Sequence, residues 1–195
     1  SMYSKEEMFN LMKFSIEHWL KLESDDNYKS VLFFKNFGPH SGGSISHSHM
    51  QLVALKNVNY RDKLDDKYFE GAIIHKTNNC TVTLSQEPLN CFTEFNVIIE
   101  SLDYLNEFSD NIQRIVKYIL NDYYAPCDSY NLFFYDWKGK ITMKLMDFSD
   151  DCKELSLMSL NKEIGYRMSM KMRKANVSDF QQQPTHPFDE GGIRF

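Results

Sequence analysis

Asn36-Phe37-Gly38-Pro39-His40-Ser41-Gly42-Gly43-Ser44-Ile45-Ser46-His47-Ser48-His49-Met50-Gln51 is the stretch around which the rest of this chain is read. Its first half is a loop of small residues, in which glycine lets backbone N–H groups approach a ligand without a Cβ in the way. Its second half opens a strand expected over Ile45 to Leu55. Side chains alternate along a strand, so His47, His49 and Gln51 share one face while Ser48, Met50 and Leu52 take the other. Two imidazoles and an amide beside a phosphate-sized loop form a compact polar group. An imidazole, neutral near pH 7, can attack phosphorus or carry a proton.

Working outward, Tyr28 to Phe37 reads as a strand centred on Val31-Leu32-Phe33-Phe34, antiparallel to the one that follows the loop. Ahead of it, Ser4 and Glu7 have capping-box spacing, and Met8, Leu11, Met12, Ile16, Trp19 and Leu20 form one apolar helical stripe. Residues 58 to 69 are charged and should cover the surface. Strands follow at Phe69 to His75, Cys80 to Leu84 and Phe92 to Glu100, with Asn78-Asn79 as hairpin chemistry. Ser109 is expected to cap a second helix carrying Ile112, Ile115, Val116, Ile119 and Leu120. Tyr130 to Trp137 then turns at Lys138-Gly139-Lys140 into Ile141 to Phe148. A last helix is expected between Glu154 and Lys174, although Met168, Met170 and Met172 alternate there in a strand-like way.

The chain also repeats itself. Leu32-Phe33-Phe34 recurs one hundred residues later as Leu132-Phe133-Phe134, each time after a helix and a polar turn and before another strand. The fold class read from this is α+β: an antiparallel sheet with flanking helices, built from two repeated helix-strand-strand units. The first half spans residues 3–60, the second 61–180, and an extended arm 181–195. Only the second half is preceded by its own set of strands, so the first is N-terminally incomplete. Ser1-Met2 reads as the scar of a cleaved tag; the strands absent from the first half are either cut away ahead of it or supplied by a partner chain.

With 195 residues, 42% apolar and 25% charged, the chain can build a packed core. A net charge of −5 leaves no basic field for a nucleic-acid duplex. No apolar run reaches membrane-spanning length and no signal peptide is visible, so no membrane partner is expected. Cys80, Cys91, Cys127 and Cys152 form no CxxC pair and read as reduced thiols of a cytoplasmic protein.

The order Asn-x-Gly-x-x-x-Gly-x-Ser-x-x-His-x-His-x-Gln, carried by Asn36, Gly38, Gly42, Ser44, His47, His49 and Gln51, resembles a family signature. It is that of the galactose-1-phosphate uridylyltransferase and diadenosine tetraphosphate phosphorylase branch of the histidine triad superfamily. The resemblance implies a HIT-like fold and a nucleotidyltransferase working on a nucleotide sugar or dinucleoside polyphosphate. It makes His49 the nucleophile, carrying the nucleotidyl group covalently, with His47 orienting the site and Gln51 bonding a phosphate oxygen. Gly42, Gly43 and Ser44 would hold the phosphates, with Asn36 and Gly38 at their edge. The resemblance fixes no cofactor and leaves metal content open, with zinc an option through His47. Glutamine in the third position implies transfer rather than hydrolysis. A HIT-type hydrolase and a non-catalytic nucleotide-binding protein are the alternatives, and a homodimer is anticipated. In the second half Thr142-Met143-Lys144-Leu145 stands where a triad would be, which implies a structural role for that half.

Overall fold

The computed structural model describes residues 3–41, 49–89, 93–123 and 126–147. The expected C-terminal helix, the arm and Cys91, Cys152, Gly42, Gly43, Ser44 and His47 lie outside the described residues.

Helix α1 (Lys5–Glu23) begins as its sequence dictates. The Ser4 hydroxyl accepts from the Glu7 N–H, and the Glu7 carboxylate accepts from the Ser4 N–H. Its stripe of Met8, Met12, Ile16 and Trp19 is fully buried against the sheet. The Trp19 indole N–H donates 2.8 Å to the carbonyl of Val31. That bond ties the end of α1 to strand β1 (Ser30–Phe37).

Strands β2 (Gln51–Leu55), β3 (Gly71–Lys76), β4 (Cys80–Ser85) and β5 (Glu94–Ile99) follow, then helix α2 (Leu105–Lys117), β6 (Tyr130–Trp137) and β7 (Lys140–Asp147). They form one seven-stranded sheet in the order β2-β1-β6-β7-β5-β4-β3, with every described pair antiparallel. Both helices lie on one face. The fold is therefore the expected α+β arrangement of an antiparallel sheet with flanking helices. The β6–β7 turn, Lys138-Gly139, has positive φ at both residues (52° and 78°), which matches the twist of a two-residue hairpin.

Three expectations are corrected. Strand β2 is described as Gln51–Leu55, so His49 and Met50, expected within it, stand just ahead of the ladder, and the expected start at Ile45 lies outside the described residues. Phe69 closes a 3-10 turn, and β3 starts at Gly71. Helix α2 starts at Leu105, after a 3-10 turn capped by Ser101. Ser109 is buried inside it and bonds the carbonyl of Asn106, because Leu105 and Phe108 pull the extra turn onto the core.

The two units meet at the centre of the sheet, where β1 pairs with β6. Phe33 opposes Phe134 on the helix side, with rings stacked 4.0 Å apart. Phe34 opposes Phe133 on the other side, at 6.0 Å. A rotation that exchanges the units must keep helix-facing residues on the helix face, so it carries Phe33 onto Phe134, not onto Phe133. The repeated Leu-Phe-Phe is thus out of structural phase by one residue. The helices do repeat at an even hundred, with Met8, Met12 and Ile16 matching Phe108, Ile112 and Val116 in burial. The added residue enters between α2 and β6, a connection that opens with a π turn over Tyr118–Asp122.

The open face is occupied differently in the two halves. Over β5, β6 and β7 lie two 3-10 turns, Tyr60–Lys63 and Asp66–Phe69. The expectation that residues 58 to 69 form a surface cover is met, with a specific anchorage. Arg61 donates to Glu23 of α1 at 3.0 Å and to the Asp136 carbonyl at 3.0 Å. Trp137 Nε1 donates to Asp66 at 2.9 Å, and the Phe69 ring stacks on Trp137. Beneath them Lys144 is fully buried. Its ammonium donates to Glu94 Oε1 at 2.6 Å, to Asn96 Oδ1 at 2.9 Å and to the Tyr68 carbonyl. Burial lowers the Lys144 pKa, and the Glu94 carboxylate opposes that shift.

Candidate functional site

The site grows from the end of β1. After Phe37 the backbone turns at Gly38, whose φ of +89° is left-handed. A Cβ there would come within 2.1 Å of the Asp128 carbonyl oxygen, so only glycine fits. The turn is then stitched down. Ser41 Oγ donates to the Gly38 carbonyl at 2.8 Å, and the His40 N–H donates to Ser129 Oγ at 3.0 Å. Ser129 Oγ in turn donates to the Asp128 carboxylate at 2.7 Å.

Beside the turn, Asn36 of β1 lies opposite Asn131 of β6. With its amide nitrogen directed inward, Asn131 donates to Asn36 Oδ1 at 3.1 Å, to the Ser41 carbonyl at 3.2 Å and to the Tyr130 carbonyl at 3.0 Å. Asn36 is thereby fixed at the mouth of the loop. Sequence reasoning named Asn36 and Gly38 but missed Asn131 and Ser129, which come from the other half. Their signal is only the antiparallel register, which sequence does not display.

On the neighbouring strand, Gln51 pairs with Phe34. Met50, Leu52 and Ala54 pack toward the helices, and Ser15 Oγ of α1 lies 3.7 Å from Met50 Sδ. Gln51 and Val53 therefore take the open face. His49 is half-buried. Gln51, at the start of β2, thus stands opposite Phe34, two residues ahead of Asn36 on β1.

The other histidines are elsewhere. His40 is exposed on the turn, with its backbone rather than its ring engaged. His18 is exposed on α1, its ring against Phe14. His75 lies on β3, at the opposite edge of the sheet, about 28 Å away at ordinary strand spacing. Its pKa is lowered by burial and, less, by Arg114. Among the described residues no three His, Cys, Asp or Glu side chains converge as a metal site.

Register also identifies the second half's counterpart of the site. Phe34 corresponds to Tyr135, so Gln51 corresponds to Thr142 and His49 to Lys140. Lys140 is engaged with Glu100 at 2.7 Å. No imidazole stands there.

An antiparallel sheet of two such units, helices on one face and this turn beside the central pair of strands, is the histidine-triad-like fold of the uridylyltransferases. A solved uridylyltransferase shares it with a TM-score of 0.69 over 89% of this chain and 70% of its own, at 13% identity. An ADP-glucose phosphorylase from Arabidopsis thaliana, with bound ADP-glucose, gives 0.58 over 90% and 67%, also at 13% identity. Residues 1–58 match the N-terminal domain, and residues 61–149 the C-terminal domain, of a family described as domain of unknown function DUF4931. The chain belongs to that family. A DUF4931 family protein from Bacillus cereus ATCC 10987 has 36% identity and a TM-score of 0.81, over 88% of this chain and 82% of that one. No curated protein matches the sequence. No helix among the described residues is long and apolar enough to cross a membrane.

Proposed function

We propose that the protein is a nucleotidyltransferase that carries a nucleotidyl group on His49. The observation that supports this reading is the pairing of Gln51 with Phe34, two residues ahead of Asn36 on the strand that leads into the Gly38 turn. The shared fold of a uridylyltransferase and of a phosphorylase holding a nucleotide sugar supports the same class.

In the first step an imidazole nitrogen of His49 attacks the α-phosphorus of a nucleotide sugar or dinucleoside polyphosphate. A P–N bond forms and the bond to the bridging oxygen breaks, releasing a sugar phosphate or nucleotide with its electron pair. In the second, a phosphate oxygen of the acceptor attacks the same phosphorus and frees the imidazole. The Gln51 amide N–H donates to a non-bridging oxygen in both steps. An amide cannot deliver a proton to a leaving alcohol, and this favours leaving groups and acceptors that are phosphates, hence transfer over hydrolysis. Backbone N–H groups of the loop, with Gly42, Gly43 and Ser44, hold the remaining charge. His47 orients His49. No step is routed through a metal. A homodimer working in the cytoplasm is part of this reading.

The test is covalent trapping. The protein is incubated with α-phosphate-labelled UDP-glucose, ADP-glucose and diadenosine tetraphosphate, then denatured and analysed for an acid-labile, base-stable adduct. Label on His49, absent from His49→Ala, is expected. Binding without label in the native protein would identify a non-catalytic nucleotide binder. Nucleoside monophosphate released without any acceptor would identify a hydrolase.

A further inference from the structure

The pair formed by Asn36 and Asn131 has a polarity, and that polarity is imposed from outside the pair. Asn131 belongs to β6, in the half where no imidazole stands, and is only 7% exposed. Two of the oxygens around its amide are backbone carbonyls, that of Tyr130 at 3.0 Å and that of Ser41 at 3.2 Å. Neither is free to rotate. Tyr130 is held in ladders on both sides, and the Ser41 side chain is tied back to the Gly38 carbonyl at 2.8 Å. A carbonyl only accepts, so Asn131 must meet both with its nitrogen. The opposite rotamer would set its own oxygen against them.

The third oxygen at that nitrogen, Asn36 Oδ1 at 3.1 Å, is carried by a side chain that can turn. Asn36 is the member that yields: it puts its oxygen inward and its nitrogen outward. Turning it over would bring two amide nitrogens face to face and forfeit a hydrogen bond. Among the described residues nothing accepts from the Asn36 nitrogen, and that nitrogen is not buried. Residues two apart on a strand share a face, so Asn36 lies on the open face with Phe34, opposite which Gln51 stands. Asn36 and Gln51 are therefore diagonal neighbours, about 7–8 Å apart. Two amides so spaced on one face can serve two oxygens of one diphosphate group.

We infer that Asn131 is a positioning residue, which by engaging the Asn36 oxygen turns the Asn36 N–H groups outward as donors to the ligand. The second half, without a histidine of its own at the equivalent place, thus sets which end of Asn36 the ligand meets. The group taken there is an acceptor, a phosphate oxygen next to the one served by Gln51. That last part rests on the nucleotide reading.

The polarity is tested without ligand, by the rates at which the side-chain amide protons of Asn36 and Asn131 exchange with water in the 15N-labelled full chain. Slow exchange at Asn131 and fast exchange at Asn36 are expected. Equal rates, or the reverse order, would overturn the inference. In Asn131→Asp the new carboxylate can only accept, so Asn36 should turn over and its amide protons become protected. Fast exchange at Asn36 in that variant would reduce Asn131 to a structural role. A carboxylate against two carbonyls also strains the turn, so Asn36→Asp supplies a second test. It keeps an acceptor for Asn131 and replaces the outward donor by a charged oxygen. Its affinity for inorganic pyrophosphate and for ADP-glucose, read by calorimetry, should fall by about tenfold or more. Unchanged affinity would remove Asn36 from the phosphates. A native protein that takes up neither probe would refute the nucleotide reading, while the exchange rates still decide the positioning.

Discussion

Replacing Lys144 by methionine tests the account of how the second half is closed. The ammonium and the Glu94 carboxylate are both fully buried, 2.6 Å apart. The same ammonium serves Asn96 Oδ1 and the Tyr68 carbonyl. Around it, Ser85 Oγ donates to Glu94 Oε1 at 2.6 Å, the Leu89 N–H donates to Glu94 Oε2 at 3.1 Å, and the Asn96 amide donates to Thr83 and Ser85. Methionine fills the volume but leaves a buried carboxylate without its cation and a carbonyl without its donor. Breaking one side of such a pair costs about 3–5 kcal/mol, against a total stability of about 5–15 kcal/mol for a typical domain. Urea unfolding followed by tryptophan fluorescence reads the cost. The Lys144→Met, Glu94→Gln double variant removes both charges. It should lie closer to the native protein than the two single costs combined, by a coupling of about 1–3 kcal/mol. A single-variant cost below about 1 kcal/mol, or additivity within about 0.5 kcal/mol, would refute the argument.

Three further outcomes follow from particular residues. Gly38→Ala should destabilise the fold by about 1–3 kcal/mol from backbone strain alone, with more from the collision with Asp128, read as a lowered Tm. An unchanged Tm would show that the turn relaxes freely. Glu107 is held below the ordinary carboxylate range first by the Thr77 hydroxyl and then by the Asn79 amide, each donating at 2.7 Å. A depressed carboxyl stabilises the fold above its unfolded value near 4.5 and ceases to as pH falls through the lower folded value. The gap in unfolding midpoint between the native protein and Thr77→Val should therefore narrow from pH 7 to pH 3; a gap independent of pH would contradict this. Burial pushes the Cys80 thiol up to about 11, with the Asn111 amide donating to its sulfur at 3.4 Å. Cys80 should resist alkylation at pH 8 in the folded protein and react in 8 M urea. Rapid labelling in the native state would show that β4 opens locally.

Much of this protein is legible in its sequence because the forces involved are local. The Ser4–Glu7 cap, the helical stripe of α1 and the Lys138-Gly139 turn each depend on residues a few positions apart. The Asn36-to-Gln51 stretch is likewise local, and its resemblance to a family signature is visible in the sequence alone. Register, by contrast, is a relation between distant segments. Sequence alone aligned Phe33 with Phe133; the sheet pairs Phe33 with Phe134, and because a strand's faces alternate with every residue, that single position decides which side each ring takes. Helix α2 starts a turn earlier than its cap residue suggested, since burial of Leu105 and Phe108 outweighs the preference of Ser109 for a cap. Asn131 and Ser129 enter the site only because β6 lies against β1. Lys144 illustrates the same limit: its side chain is charged, and only the convergence of Glu94, Asn96 and the turn at Tyr68 makes its burial tolerable. Composition and short spacings thus determined most of the elements and the candidate strand. The tertiary structure decided which faces meet, because that depends on packing energies summed over residues that the chain holds far apart.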